Sequence, residues 1–154
     1  MENTAPFPDP GPICSLDSVE LARRIRSGEV SCREVAAAFL DRIDAVNPAV
    51  NAIVSLRPRG EILAEADAAD RHLASGGAAG PLFGLPVAIK DLAATKGLRT
   101  TWGSRIFADF VPDEDDFFVA RMRAAGAIVI GKTNVPEFGF GSQTYNEVFG
   151  ATRN

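Results

Sequence analysis

The stretch Gly84-Leu85-Pro86-Val87-Ala88-Ile89-Lys90-Asp91 decides how this chain is read. A short apolar run bounded by Gly and Pro predicts a buried strand. The run stops abruptly at a lysine and an aspartate. A lysine at the mouth of a buried strand is expected in a partly dry cleft, where the ammonium loses solvation and the neutral amine can act as a base. Lys90 is therefore a candidate catalytic residue. The plainer alternative is a strand-end lysine that snorkels or pairs with a carboxylate. Asp91 is not a simple partner for it, because adjacent side chains of a strand point to opposite faces.

Downstream, Ala127-Ile128-Val129-Ile130 is a second fully apolar strand and runs into Gly131-Lys132-Thr133-Asn134. Upstream lie helices. One is predicted over 17–27, with Leu21, Ala22 and Ile25 on one face and Gly28 as its stop. Ser31-Cys32-Arg33-Glu34 has the form of a capping box and opens a second helix. Its buried stripe is read as Val35, Phe39, Ile43 and Val46, and Asn47-Pro48 is read as its end. A short strand follows at 51–56. A third helix over 61–75 buries Ile62, Ala66, Ala69 and Leu73, with Asp67 and Arg71 as an outer i,i+4 pair. A fourth helix, over 117–125, follows the acidic run Asp113–Asp116, which reads as favourable charge at a helix N-terminus. Between Leu92 and Pro112 the chain lacks periodicity, and a stretch that long is usually functional or well packed.

Helices alternating with continuously apolar strands argue for α/β architecture around a mostly parallel, two-sided sheet. In such sheets sites form at the carboxyl ends of strands, where Lys90 and Lys132 both fall. Residues 1–14 carry four prolines and read as a flexible N-terminal arm, leaving 15–154 as one domain.

Composition narrows the function classes. The chain has 154 residues and a net charge of −4, which suggests neither a nucleic-acid nor an anionic-membrane surface. No apolar stretch approaches a membrane span, and the opening residues lack a signal-peptide pattern, so the expected compartment is the cytoplasm. Cys14 and Cys32 form no C-x-x-C and read as reduced and structural. His72, the one histidine, sits on an Ala/Asp-rich helix away from any plausible nucleophile. A histidine-rich metal site is excluded, and no carboxylate cluster shows metal-ligand spacing.

Gly126 to Thr133 satisfies G-x-x-x-x-G-K-[ST], but a helix precedes it, the intervening Ala-Ile-Val-Ile favours strand, and no long helix follows. A P-loop needs the reverse order, so nucleotide binding is set aside. Lys132 is then read as a strand-end lysine bonded to loop carbonyls. Ser142 lies in neither G-x-S-x-G nor G-x-G-x-x-G, so it is no nucleophile-elbow serine. The glycines around it suit a ligand-lining loop or a tight turn. Trp102 and Tyr145 read as packing residues.

From about Leu16 to Asn154 the chain resembles the N-terminal part of the amidase signature family. The stretches that carry the resemblance are GLPVAIKD (84–91), GLRTTWGS (97–104), FVPDEDD (110–116), RAAGAIVIGKTNVPEFGFGS (123–142) and FGATRN (149–154). They occur in order and with family-like spacing. The resemblance implies a mixed β-sheet core wrapped by helices, in a chain much longer than this one. It implies hydrolysis of carboxylic amides by a Ser–cis-Ser–Lys triad with no cofactor, and it puts the triad lysine at Lys90. An ordinary lysine titrates near about 10.4, so such a base needs its neutral form favoured. The segment 138–142 matches one that lines the family's pocket, which makes Gly139, Gly141 and Ser142 candidates for substrate contact.

Both serines of the family's triad belong to a segment that would follow Asn154. The expectation is therefore a truncated N-terminal part, inactive by itself, of an enzyme acting on a small-molecule amide. Neither nucleic acid nor membrane is expected as a partner. The alternative is a non-catalytic module that dimerises or joins a chain carrying the missing segment.

Overall fold

The computed structural model describes residues 7–153. Helices α1 (Gly11–Cys14), α2 (Ser18–Ser27) and α3 (Cys32–Val50) precede strand β1 (Ile53–Leu56). Helix α4 (Arg59–Ala74), strand β2 (Pro86–Lys90), helix α5 (Phe117–Ala124) and strand β3 (Ile128–Thr133) follow, with a small hairpin of β4 (Tyr145–Asn146) and β5 (Gly150–Ala151) at the end. The arm read over 1–14 is corrected in its last part: α1 is helical, and Ile13 packs against the core. Residues 1–6 lie outside the described residues.

The helix boundaries follow from local chemistry. Asp17 caps α2 by accepting from the amides of Val19 and Glu20, and Gly28 closes it at φ 72°, a conformation that favours glycine. The capping box at Ser31 and Glu34 is complete. Asp70 adds a cap from outside, accepting from the amides of Cys32 at 2.7 Å and Arg33 at 3.1 Å. Two readings of α3 are corrected. Pro48 lies inside the last turn, where its fixed φ is tolerated although it donates no amide hydrogen, and the helix ends at Asn51 in the left-handed region. The buried face is Cys32, Val35, Ala36 and Leu40, while Phe39 and Ile43 are only half-buried, because α4 and the sheet contact a face rotated toward Leu40. On α4, Asp67 pairs with Arg33 of α3 at 2.6 Å rather than with Arg71.

The three-stranded sheet has the order β1-β3-β2. β2 runs parallel to β3 and β1 antiparallel, so the sheet is mixed rather than mostly parallel. One face carries Leu85, Ile128 and Ile130 and is covered by Leu21, Ile25, Val35, Leu40 and Ile62 of α2–α4. The other face carries Ile89 and Val129 and packs on Ala93 and on Val119 of α5.

The pairing of β2 with β3 slips by one residue. Val87 faces Val129, but Ala88 faces Gly131, so Ile130 is an extra residue on β3. Such a bulge breaks the period of two and turns the later side chains to the other face. Lys132, which simple alternation would place with Ile128 and Ile130, lies instead beside Ile89 on the Val129 face. Arg57 supports the bulge. Its amide donates to Ile130 O at 2.8 Å, and its guanidinium donates to Val129 O at 2.7 Å.

Candidate functional site

Lys90 ends β2, beside Thr133 in the parallel ladder, at the carboxyl end of the sheet. Its side chain is exposed, and it makes no side-chain hydrogen bond or ion pair among the described residues. The dry cleft expected around it is therefore not formed by these residues. The ladder continues one residue further, where Asp91 N donates to Thr133 O at 3.0 Å. Alternation turns the Asp91 side chain to the opposite face, where it is completely buried.

The buried lysine is Lys132. Its ammonium donates to Ala93 O, to Thr95 Oγ1 at 2.9 Å and to Thr100 Oγ1 at 3.0 Å. Three acceptors match the three N–H groups of an ammonium. The sequence reading that Lys132 bonds a loop carbonyl holds for Ala93, but its full burial and the two threonines were not legible there. The Asp91 carboxylate is 3.9 Å away. Burial pushes Lys132 down to about 8, against the upward pull of Asp91. Burial likewise raises Asp91, opposed by its bonds to Thr101 and by the Lys132 charge. Thr101 donates to Asp91 from its hydroxyl at 2.6 Å and from its amide at 3.1 Å, and Gly103 N donates to Thr101 Oγ1 at 3.0 Å. Within the aperiodic stretch 92–112 the threonines are turned inward as partners for two buried charges, while Ile106 and Val111 stay exposed.

The acidic run does more than supply charge to α5. Asp116 accepts from Ala94 N at 2.8 Å and Asp115 from Lys96 N at 2.7 Å, tying the loop after β2 to the start of the helix.

Beyond Lys90 the chain meets the glycine-rich segment. Trp102 donates from its indole to Leu92 O at 2.9 Å and accepts at its own carbonyl from Phe138 N at 2.7 Å. Trp102, Phe107, Phe110 and Phe138 form a cluster of edge and stacked contacts, so Trp102 is a packing residue as read. Gly139, at φ 75°, lies against Leu92, and a Cβ there would come within 2.9 Å of its side chain. Gly141 and Ser142 are exposed and line a separate cavity of about 250 Å³ with Pro136, Phe140, Gln143 and Tyr145. The structure therefore brings Gly139 to the residue two past Lys90, whereas Gly141 and Ser142 open onto their own hollow. Tyr145 is 66% exposed, against its reading as a packing residue.

The other sequence candidates are peripheral. Gly131 lies inside β3, so the stretch resembling a P-loop is strand. His72 is exposed, and its ring nitrogen is 3.1 Å from Ala78 O. Cys14 and Cys32 are unpaired thiols, and burial pushes Cys32 up to about 12. Among the described residues no group of three or more His, Cys, Asp or Glu is placed to hold a metal ion. None of the described helices is long and apolar enough to cross a membrane.

A mixed sheet with helices on both faces and a lysine at the carboxyl end of its parallel strand defines a class of α/β proteins. Residues 34–154 match the Amidase family, and the chain belongs to it. It is 48% identical over 135 residues to a glutamyl-tRNA(Gln) amidotransferase subunit from Geobacter metallireducens, covering 88% of this chain and 27% of that protein. Among solved structures it resembles the native peptide amidase of Stenotrophomonas maltophilia, with a TM-score of 0.83 and 35% identity over 93% of this chain and 30% of that one. A fatty acid amide hydrolase superposes with a TM-score of 0.86 and 27% identity, over 92% of this chain and 25% of that one. The chain thus spans little more than a quarter of the length of the curated relatives it matches.

Proposed function

We propose that this chain supplies the lysine base of an amide-hydrolysing centre, with Lys90 in that role. The observation that carries the reading is the setting of Lys90: exposed at the carboxyl end of β2, in a chain of the Amidase family, with the segment 138–139 folded against the residues that follow it. The nucleophile is a serine outside these residues. A second serine relays its proton to neutral Lys90 as the first attacks the amide carbonyl. The proton then goes to the departing ammonia or amine, and water releases the carboxylate from the acyl-enzyme. Gly139, Gly141 and Ser142 contact the substrate, a role supported for Gly141 and Ser142 by the hollow they line. No cofactor enters the reaction.

The substrate is a small-molecule amide. The amidotransferase relative carries tRNA in its name, but a net charge of −4 gives this chain little basic surface for nucleic acid. The test is Lys90→Ala in the active polypeptide that carries this chain. Turnover should vanish while the circular dichroism spectrum and melting stay as in the parent; retained kcat would overturn the assignment.

A second reading is a non-catalytic module that joins another chain or a second copy of itself. It is favoured by the edge position of β2 among the described residues, by exposed Phe117 and Phe118, and by the relatives named as subunits of an amidotransferase. Size-exclusion chromatography with light scattering separates the two. A compact monomer supports an autonomous module, and a dimer supports self-association.

A further inference from the structure

Lys90 roots at the edge of the sheet, on a strand paired on one side only among the described residues, yet the turn that follows it is held from several directions. Lys90 O accepts from Ala93 N at 3.1 Å, and the carbonyl of that same Ala93 accepts from the Lys132 ammonium. Asp91 N is bonded to Thr133 O, and the Asp91 carboxylate takes two N–H or O–H donors from Thr101. Lys132 lies beside Ile89 in the ladder, one register position before Lys90 meets Thr133. The turn 90–93 is thus held through β3, through Thr101 and through the buried Asp91–Lys132 pair.

We infer that Asp91 and Lys132 are positioning residues: paired on the face of the sheet opposite Lys90, and locked by Thr101, they fix the backbone root of Lys90 and so aim its amine. This rests on Lys90 being the base. A buried pair of opposite charges is a costly way to stabilise a core, and replacing it with apolar groups is often neutral or better for stability. Its value is geometric definition, because a misplacement of about 1 Å at a reacting group can cost about 100-fold in rate. Among the described residues β2 is paired only with β3, so the clamp acts on the side where its ladder is seen.

The test uses two readouts. In the 154-residue chain, the Lys90 amide and Cβ resonances are followed in Thr101→Val and Lys132→Met, both remote from Lys90 in sequence. They should move or broaden in both variants while the α2 resonances, in the core on the other face of the sheet, stay in place. Should Lys132→Met fail to fold, Thr101→Val, which removes one hydroxyl, decides alone. In the active polypeptide that carries this chain, Asp91→Asn and Thr101→Val should lower kcat at least about 10-fold, with KM within about 2-fold and an altered pH profile. Lys90 resonances unchanged in the folded variants overturn the proposal. So do an unchanged kcat and pH profile where Lys90→Ala abolishes turnover. If Lys90→Ala retains turnover, the base role falls and with it the catalytic meaning of the clamp; resonances that still move distinguish that failure.

Discussion

Ile89 of β2 and Lys132 of β3 are register partners in parallel strands, so a buried isoleucine and a buried ammonium lie side by side on one face of the sheet. The arrangement exists because Ile130 is an extra residue in β3. Without it, Lys132 would follow Ile128 and Ile130 into the core under α2–α4, where the packed neighbours are apolar. The bulge sends it to the face where Ala93, Thr95 and Thr100 offer three oxygens.

Arg57 should therefore matter more than an ordinary strand-end arginine. Its guanidinium is the donor to the Val129 carbonyl at the bulge, and it pairs with Glu65 at 2.7 Å. Arg57→Leu removes that donor and should destabilise the fold by about 2 kcal/mol, read as a lower urea midpoint at unchanged slope. A midpoint equal to the parent's would show that the bulge holds without it.

Lys132 sets a pH dependence of stability. Burial holds it at about 8 in the folded chain, whereas an unfolded lysine titrates near about 10.4. Between those values the unfolded state carries more protons at this residue, so its contribution to stability rises with pH. Cys32 works in the opposite sense, since burial raises it from 9.0 to about 12. It is common to parent and variant, so the difference between them isolates Lys132. The stability of the parent minus that of Lys132→Met should increase from about pH 8 to about pH 10 in urea titrations; a flat difference would contradict the burial of its charge.

Gly131 is constrained by space. A Cβ there would lie 2.5 Å from Ser55 O and 2.9 Å from Leu56 Cα, both backbone atoms of the neighbouring strand. Gly131→Ala must push β1 away from β3 and should lower the melting temperature by about 4–12 °C, as expected for a loss of about 2–3 kcal/mol in a chain of this size. A P-loop glycine would instead reveal itself through lost nucleotide binding. Thermal scans with and without ATP should show no nucleotide-dependent shift in the parent.

If Lys90 acts as the proposed base, the 154 residues alone should show no amide hydrolysis, because no serine hydroxyl is hydrogen-bonded to Lys90 among the described residues. Incubation with small aliphatic and aromatic amides, followed by ammonia detection, should stay at the buffer rate. Ammonia release above that rate, abolished by Lys90→Ala, would place a nucleophile within these residues.

Much of the fold was legible because its signals are local. The caps at Asp17 and Ser31, the stop at Gly28 and the apolar runs of β2 and β3 each occupy a few consecutive residues. The misreadings share a different cause. The burial of Leu40 depends on which face α4 and the sheet present to α3. The pairing of Asp67 depends on Arg33, thirty-four residues away. The helical Pro48 depends on Asn47, whose side chain accepts from the amides of Ala52 and Ile53 and so gathers the chain that leaves the helix.

At the site the division is equally physical. That Lys90 ends a strand and that Asp91 turns away from it could be read from consecutive residues, because alternation is built into the pleat. Family membership could be read as well, from five motifs in order. Which lysine is buried could not. That outcome rests on a one-residue slip between β2 and β3, supported by Arg57 and completed by threonines from a loop with no periodicity. None of these contacts is local, so no window of sequence contains the reason that Lys132 is dry and Lys90 is not.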